Sequence, residues 1–344
     1  MSDDEIYMTR SLELAQCGLG YVAPNPLVGS VIVYDGKIIG EGFYQKYGNP
    51  HAEVNAIESV ADHELLKKST LYVNLEPCSH WGKTPPCADL IIEKQIPHVV
   101  IGCQDIFEEV NGKGIAKLRD AGIKVETGIL EKECQEMNRR FFVFNQQRRP
   151  YIILKWAQTA DEFMARDDYS SKWISNPYSR LLSHKWRAEE SAIMVGTYTA
   201  IFDNPQLSSR DMKTKNPARI IIDKNGKIPE THHVFDGSQK TIIFTSVLIE
   251  SKENLDFVQM DFASGNFIEK ALNYLWKLGI QSIIVEGGAR LLQSFLSKNI
   301  WDEARIFTAK DISFGSGIQA PEMNITPEKT FSILNDQLAY YSNH

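Results

Sequence analysis

Long apolar runs are missing from this sequence: nowhere do about 18 consecutive apolar residues occur, so no helix is expected to span a bilayer. An export signal is not expected either, because the first ten residues carry Asp3, Asp4 and Glu5 where such a signal needs a basic start and an apolar core. A soluble, cytoplasmic protein is the expectation. Cysteine is scarce, with 5 in 344 residues, and an odd number of scattered thiols does not build a secreted disulfide framework. A basic surplus is absent too. With 44 acidic and 37 basic residues the net charge is -7, which repels a polyanion and argues against a nucleic-acid partner. The tight basic pairs, Arg139-Arg140 and Arg148-Arg149, suit a domain junction better than a stripe that tracks phosphates. No internal repeat and no low-complexity tract is visible.

What is present is enough apolar side chain, 43%, to build real cores. At about 100 to 200 residues per domain the length predicts two domains. The polar, twice-basic stretch 146–150 ends in Pro150 and a fresh strand pattern follows, which places domains at 1–146 and 147–344. In the first, residues 5–17 read as an amphipathic helix with Ile6, Met8, Leu12, Leu14 and Ala15 on one side. Residues 28–34 and 37–43 flank Asp35-Gly36, a strong hairpin signal. Helix and strand patterns then alternate: 52–60, 70–75, 86–94, 99–102, 114–121, 123–126, and a last helix over 130–142. Such a run closes naturally as a sheet with helices on both faces. The second half shows strands at 151–156, 192–195, 219–222, 241–245 and 282–285, so it too is α/β.

The strongest local signal is His51-Ala52-Glu53, followed by Pro77-Cys78 and later by Cys87. One imidazole and two thiolates are a zinc ligand set, and three protein ligands leave a fourth position for water, the mark of a catalytic site. Zinc lowers the pKa of such a water toward neutrality. Glu53, in the first turn of a helix, is placed to take its proton and to return protons to a ring nitrogen and to departing ammonia. Pro85-Pro86 pre-organises the helix start carrying Cys87, where thiolate is stabilised. Cys17, Cys103 and Cys134 stand alone and read as inert, mostly buried thiols.

Base deaminases carry His-x-Glu with Pro-Cys-x-x-Cys; here the cysteines are further apart. Together with Pro24-Asn25-Pro26-Leu27-Val28-Gly29 and the block from Glu76-Pro77-Cys78-Ser79-His80 to Pro85-Pro86-Cys87, the first half closely resembles the bifunctional riboflavin biosynthesis deaminase/reductase family. The second half resembles that family's reductase domain through Leu154-Lys155-Trp156-Ala157, Ser171-Lys172-Trp173-Ile174, Trp186-Arg187-Ala188, Asp203-Asn204-Pro205 and Val285-Glu286-Gly287-Gly288-Ala289.

The resemblance implies a cytidine-deaminase-like three-layer α/β domain joined to a dihydrofolate-reductase-like α/β domain. The first would use zinc to remove the 2-amino group of a diaminopyrimidinone phosphoribosylamine, and the second would use NADPH to reduce the product's ring-opened ribose to ribityl. By position, Asn25, His80, Lys83 and Asp105 would bind the deaminase substrate. Ser171, Arg187, Leu207, Arg210 and Glu286 would hold the reductase substrate. Ala157, Trp173, Thr199, Asp203, Gly288, Ala289, Arg290, Leu291, Leu292, Gln293 and Ser294 would contact the cofactor. A phosphorylated pyrimidine is the implied partner, with a homo-oligomer, dimer or tetramer, as the assembly.

Three departures from the family stand out: Tyr44 for a frequent histidine, Ile106-Phe107-Glu108 for Pro-Asn-Pro, and Asp161-Glu162 for Asp-Gly. Read from residues alone, Gly287-Gly288 between a strand and a helix could receive a cofactor phosphate or be a simple tight turn. Arg187 and Arg210 could bind a phosphomonoester or make salt bridges. Two other readings stay open at this level: a nucleoside deaminase with an unrelated second domain, and a second half kept as scaffold or ligand sensor.

Overall fold

Apolar residues run consecutively along the central strands of the first half, and with side chains pointing to opposite faces at successive positions they divide between two layers. In the computed structural model, which describes every residue except 82–84, 107–109, 172–173, 211, 213–214 and 344, the chain divides into two units, Met1–Arg148 and Arg149–His344. No helix among the described residues is long and apolar enough to cross a membrane.

The first unit runs α1 (Asp3–Gln16), β1 (Gly29–Tyr34), β2 (Lys37–Phe43), α2 (Ala52–Glu58), β3 (Thr70–Leu75), α3 (Cys87–Glu93), β4 (His98–Cys103), α4 (Lys113–Asp120), β5 (Lys124–Thr127), α5 (Glu131–Met137) and α6 (Arg139–Gln146). Its sheet has the order β2-β1-β3-β4-β5, an antiparallel hairpin continued by parallel strands. Ile32, Leu71, Val73, Val99 and Ile101 pack against Ala56, Ile57, Ala88, Ile91 and Leu118 of α2, α3 and α4. Their neighbours Val31, Val33, Tyr72 and Val100 face the other way, onto Met8 of α1 and Cys134 of α5. This is the three-layer arrangement that the resemblance implies.

Two glycines let the helices press onto the sheet. A Cβ on Gly29 would lie 2.0 Å from the Ser11 carbonyl oxygen, and one on Gly42 would lie 2.3 Å from the Ala56 nitrogen. Ser11 is consequently buried in α1, whereas Ile6, expected on the apolar face, is 49% exposed. The helix expected over 130–142 is two, broken at Asn138, whose side chain accepts from Leu27 N–H (2.8 Å) and donates to Leu27 C=O (3.0 Å). Cys103 and Cys134 are buried, and burial pushes Cys103 up and Cys134 up to about 12. Cys17 is exposed, contrary to expectation, because it caps the end of α1.

The second unit runs β6 (Tyr151–Thr159), β7 (Phe163–Ala165), α7 (Pro177–Glu189), β8 (Ala192–Gly196), α8 (Thr197–Asp203), β9 (Ala218–Ile222), β10 (Thr241–Thr245), β11 (Leu255–Gln259), α9 (Phe267–Lys277), β12 (Ser282–Gly287), α10 (Ala289–Ser297), β13 (Glu303–Ala309), β14 (Ile318–Gln319), β15 (Lys329–Ile333) and β16 (Asp336–Ser342). A nine-stranded sheet has the order β11-β10-β9-β8-β12-β6-β13-β16-β15. Its first seven strands are parallel, and their continuous apolar runs, such as Ile152-Ile153-Leu154, are buried on both faces. The last two strands are antiparallel additions. Ile152, Leu154, Ile283 and Val285 share a core with Leu272 and Leu275 of α9 and Leu292 and Phe295 of α10.

Candidate active sites

The first site is assembled by element boundaries. His51 is the N-cap of α2, so the helix opens with Glu53 in its first turn, 3% exposed. Cys78 lies beyond β3, and Cys87 opens α3 after Pro86. His51 Nδ1 stands 3.6 Å from Cys78 Sγ and 3.3 Å from Cys87 Sγ, and the Cys87 N–H donates to Cys78 Sγ at 3.3 Å. All three ligand atoms lie within 4.8 Å of one another. Zn–S bonds of about 2.3 Å and a Zn–N bond of about 2.0 Å at a tetrahedral angle put sulfur and nitrogen about 3.6 Å apart. The donor set therefore fits zinc in chemistry and in spacing.

The charges agree. The Cys78 thiol, hydrogen-bonded by Cys87 and His51, is held down at about 4, while Cys87, which shares that bond and is buried, is pushed up. His51 is raised by its bond to Cys78. Burial raises the Glu53 carboxyl, with His51 opposing.

Around this centre is a pocket of about 380 Å³, lined also by Asn25, His80 and Asp105. The structure thus brings three of the four expected substrate residues to the metal ligands; Lys83, the fourth, lies outside the described residues, as do Phe107 and Glu108 of the departure noted above. Tyr44 sits in the same wall: its ring meets His51 edge-on with centroids 5.4 Å apart, and its hydroxyl accepts from Asn25 Nδ2 (3.0 Å) and Gly48 N–H (2.8 Å). Glu76 lines the pocket too, a residue that the sequence reading quotes without a role.

The second site is a cleft of about 930 Å³ at the carboxyl ends of the parallel strands, where open α/β sheets bind ligands. β6 supplies Ala157, α8 supplies Thr199 and Asp203, and the turn into α10 supplies Gly288, Ala289, Arg290, Leu291 and Ser294. The Gly287–Gly288 peptide is cis, and Gly287 has a φ of 139°. A Cβ on Gly288 would stand 3.2 Å from Thr199 Oγ1, so a side chain there would crowd the turn. Two cofactor residues expected on α10 need correction. Leu292 is fully buried in the core and Gln293 is exposed; neither lines the cleft, because each helical residue turns by about 100° and one face only can point at a ligand. Trp173 lies outside the described residues.

Of the expected substrate residues, Ser171, Arg187, Arg210 and Glu286 line the cleft, and Ser171 Oγ donates to Asp203 Oδ1 at 3.0 Å. Leu207 does not; it is 3% exposed, and its φ of 54° is left-handed. Arg187 grips Glu286 through Nε and Nη2, both at 2.7 Å, so one edge of its guanidinium is committed to an ion pair. Lys155 Nζ lies 3.8 Å from the same carboxylate and lines the cleft, a cation the sequence reading did not single out. Burial opposes ionisation of Glu286, but Arg187 and Lys155 outweigh it and hold the carboxyl down at about 2. Burial and the Arg187 and Arg210 charges hold His184 down at about 4, and burial lowers Lys155.

Glu162 has the positive φ, 65°, that a glycine would adopt freely. It is exposed and does not line the cleft. Asp161 beside it accepts from Thr159 Oγ1 and from the Phe314 and Gly315 N–H groups, which fixes the turn.

A family model of the cytidine and deoxycytidylate deaminase zinc-binding region matches residues 1–103, and one of the RibD C-terminal domain matches residues 150–315. The riboflavin biosynthesis protein RibD of Aquifex aeolicus (strain VF5) is 42% identical over 326 residues, covering 94% of this chain and 91% of that one. RibD of Bacillus amyloliquefaciens is 40% identical over 314 residues, covering 89% and 84%. A crystal structure from Thermotoga maritima, described as a diaminohydroxyphosphoribosylaminopyrimidine deaminase/5-amino-6-(5-phosphoribosylamino)uracil reductase, superimposes with a TM-score of 0.91 at 36% identity over 99% of both chains.

Proposed function

The chain belongs to the RibD family of riboflavin biosynthesis proteins, and from that premise we propose how its own residues divide two reactions between two domains, residues 1–146 for deamination and 147–344 for reduction. The protein is a zinc-dependent deaminase and an NADPH-dependent reductase in one chain. The reading of the second half as a scaffold or sensor gives way to the reductase-domain match over residues 150–315. The substrate of the first reaction is 2,5-diamino-6-(5-phosphoribosylamino)pyrimidin-4-one, and the second reduces the product's ribosyl group to ribityl.

The observation that carries the reading is that His51, Cys78 and Glu53 line one pocket with Asn25, His80 and Asp105, and that Cys87 completes the ligand set beside His51 and Cys78. His51, Cys78 and Cys87 would hold the zinc, which when bound would supply a nucleophile from water at neutral pH. Glu53, buried and beside the ligands, is placed where it would take a proton from an attacking water and hand protons to the ring nitrogen and to the leaving ammonia. Asn25, fixed by Tyr44, joins His80 and Asp105 in orienting the substrate. In the second cleft NADPH, when bound, would supply a hydride. Thr199, Asp203 and the residues at the start of α10 hold the cofactor, and backbone N–H groups at that helix start suit a phosphate. Glu286, with Arg187 and Lys155 around it, presents a fixed charge pattern to the sugar, and Arg210 adds a cation for its phosphate.

A small phosphorylated pyrimidine, rather than nucleic acid or a membrane, is the partner this geometry suits. The proposal includes a cytoplasmic location, which five cysteines without a disulfide among them fit. It also includes a homo-oligomer, dimer or tetramer, which Phe331 on β15 and Leu334 after it, 51% and 72% exposed, could help to form.

Glu53→Gln tests the division of labour. It should lower ammonia release by about 10² to 10⁴ while zinc stays bound, because size is kept and the base is lost. Supplied with the deaminated intermediate, the variant should still consume NADPH, whereas Asp203→Asn should impair that step and spare ammonia release. Loss of NADPH consumption in Glu53→Gln would sink the assignment.

A further inference from the structure

Between β3 and the ligand Cys78 stands a buried carboxylate that the chemistry above does not use. Glu76 is 4% exposed and lines the deaminase pocket, yet both its oxygens are committed to backbone. Oε2 accepts from the N–H groups of Asp105 (3.2 Å) and Gly112 (2.9 Å), and Oε1 from those of Gly114 (2.9 Å) and Ile115 (3.1 Å). Asp105 is the second residue of the connection from β4 to α4, Gly112 closes it as the N-cap of α4, and the other two donors are in the first turn of that helix. A carboxylate offers about four lone-pair sites and no donor, so four N–H groups fill it.

The local sequence is shaped to this contact. A Cβ on Gly114 would stand 2.1 Å from the Pro77 carbonyl oxygen, so α4 reaches Glu76 only with glycine there. Gly112 has a φ of 82°, which turns its N–H toward the carboxylate at little steric cost. The Glu76 N–H donates to Cys103 C=O at 3.0 Å, which fixes the carboxylate's own backbone to the end of β4.

We propose that Glu76 is a positioning residue of the deaminase, tying Asp105 to the segment that carries Cys78 so that substrate and metal ligands are held in one register. This rests on the reading of the pocket as the deaminase site. An amide cannot replace the carboxylate, since its NH₂ would face two N–H donors and leave them unpaired in a buried place.

The test uses the full-length, zinc-loaded chain and the phosphoribosylamino-pyrimidine, with ammonia release as the readout, for the wild type, Glu76→Gln, Asp105→Ala and the double variant. Glu76→Gln should keep one zinc per chain and raise KM about tenfold, with kcat within about threefold of wild type, the scale expected when buried donors lose their acceptor. The double variant should be no worse than Asp105→Ala alone, because the two residues act in one unit. Gly114→Ala, whose Cβ would stand 2.1 Å from the Pro77 carbonyl oxygen and 3.2 Å from Glu76 Oε1 and so loosens α4 from a carboxylate that is still present, should give the same KM signature and keeps the test open if Glu76→Gln fails to fold. Effects of Glu76→Gln and Asp105→Ala that multiply would overturn the proposal, as would an activity loss that only follows lost zinc. A wild-type chain that releases no ammonia from the pyrimidine would overturn the deaminase reading, and this inference with it.

Discussion

Glu286→Gln takes the anion out of a buried cluster and leaves two cations behind. The Glu286 side chain is 8% exposed, Arg187 14% and Lys155 12%, so water cannot replace what is lost. The folded carboxyl ionises near 2 against a reference of 4.5. At about 1.4 kcal/mol per pH unit that gap corresponds to about 3 kcal/mol of folding free energy. The figure agrees with the roughly 3 to 5 kcal/mol typical of breaking a buried ion pair by removing one partner. At a urea slope of about 2 kcal/mol per M the unfolding midpoint should fall by about 1.5 M. Tryptophan fluorescence is the assay of choice, because five of the six tryptophans, Trp156, Trp173, Trp186, Trp276 and Trp301, lie in the second unit. The pH dependence supplies a second check. A carboxyl with a depressed folded pKa stabilises fully above its unfolded value and loses that contribution as pH falls, so the gap between variant and wild type should close between about 4.5 and 2. Equal midpoints at pH 7, or a gap that ignores pH, would refute the account.

Replacing Cys78 and Cys87 together by serine should leave less than about a tenth of the zinc per chain by elemental analysis, since two of three ligands are gone; unchanged zinc would refute the ligand assignment. Glu162→Gly relieves a left-handed φ of 65° at an exposed site and should stabilise by up to about 1 kcal/mol, the strain relieved being partly offset by glycine's greater freedom when unfolded; a lower melting temperature would contradict it. NADPH should be preferred to NADH by at least about tenfold in kcat/KM, about 1.4 kcal/mol, and comparable values for the two would defeat that expectation.

The deaminase centre was legible because its ligands fall at element boundaries that local sequence marks: His51 before a helix, Cys87 after two prolines. The sorting of β-strand residues to two faces was legible for the same local reason. What was hidden depends on distant partners. Asn138 breaks a helix because it pairs with the backbone of Leu27. β13 carries Glu303 and Arg305, an ion pair buried against Trp186, so its charges disguise an interior strand. Leu292 and Gln293 entered the cofactor set as part of an unbroken run, and only the helix's rotation separates them from Leu291 and Ser294. Glu76 stands in the motif before Cys78, but its four backbone donors come from residues 105–115, which no spacing rule connects to it.

The pocket around Glu53 draws its walls from residues 24–145 and the cleft around Glu286 from residues 155–318. For genetics this means that the gene carries two heritable lesions' worth of independent target. Two alleles, one with Glu53 replaced and the other with Asp203 replaced, each encode one intact set of walls. Expressed together in a cell unable to make its own flavin, they should restore growth that neither restores alone, provided the deaminated intermediate travels from one polypeptide to the other through solution.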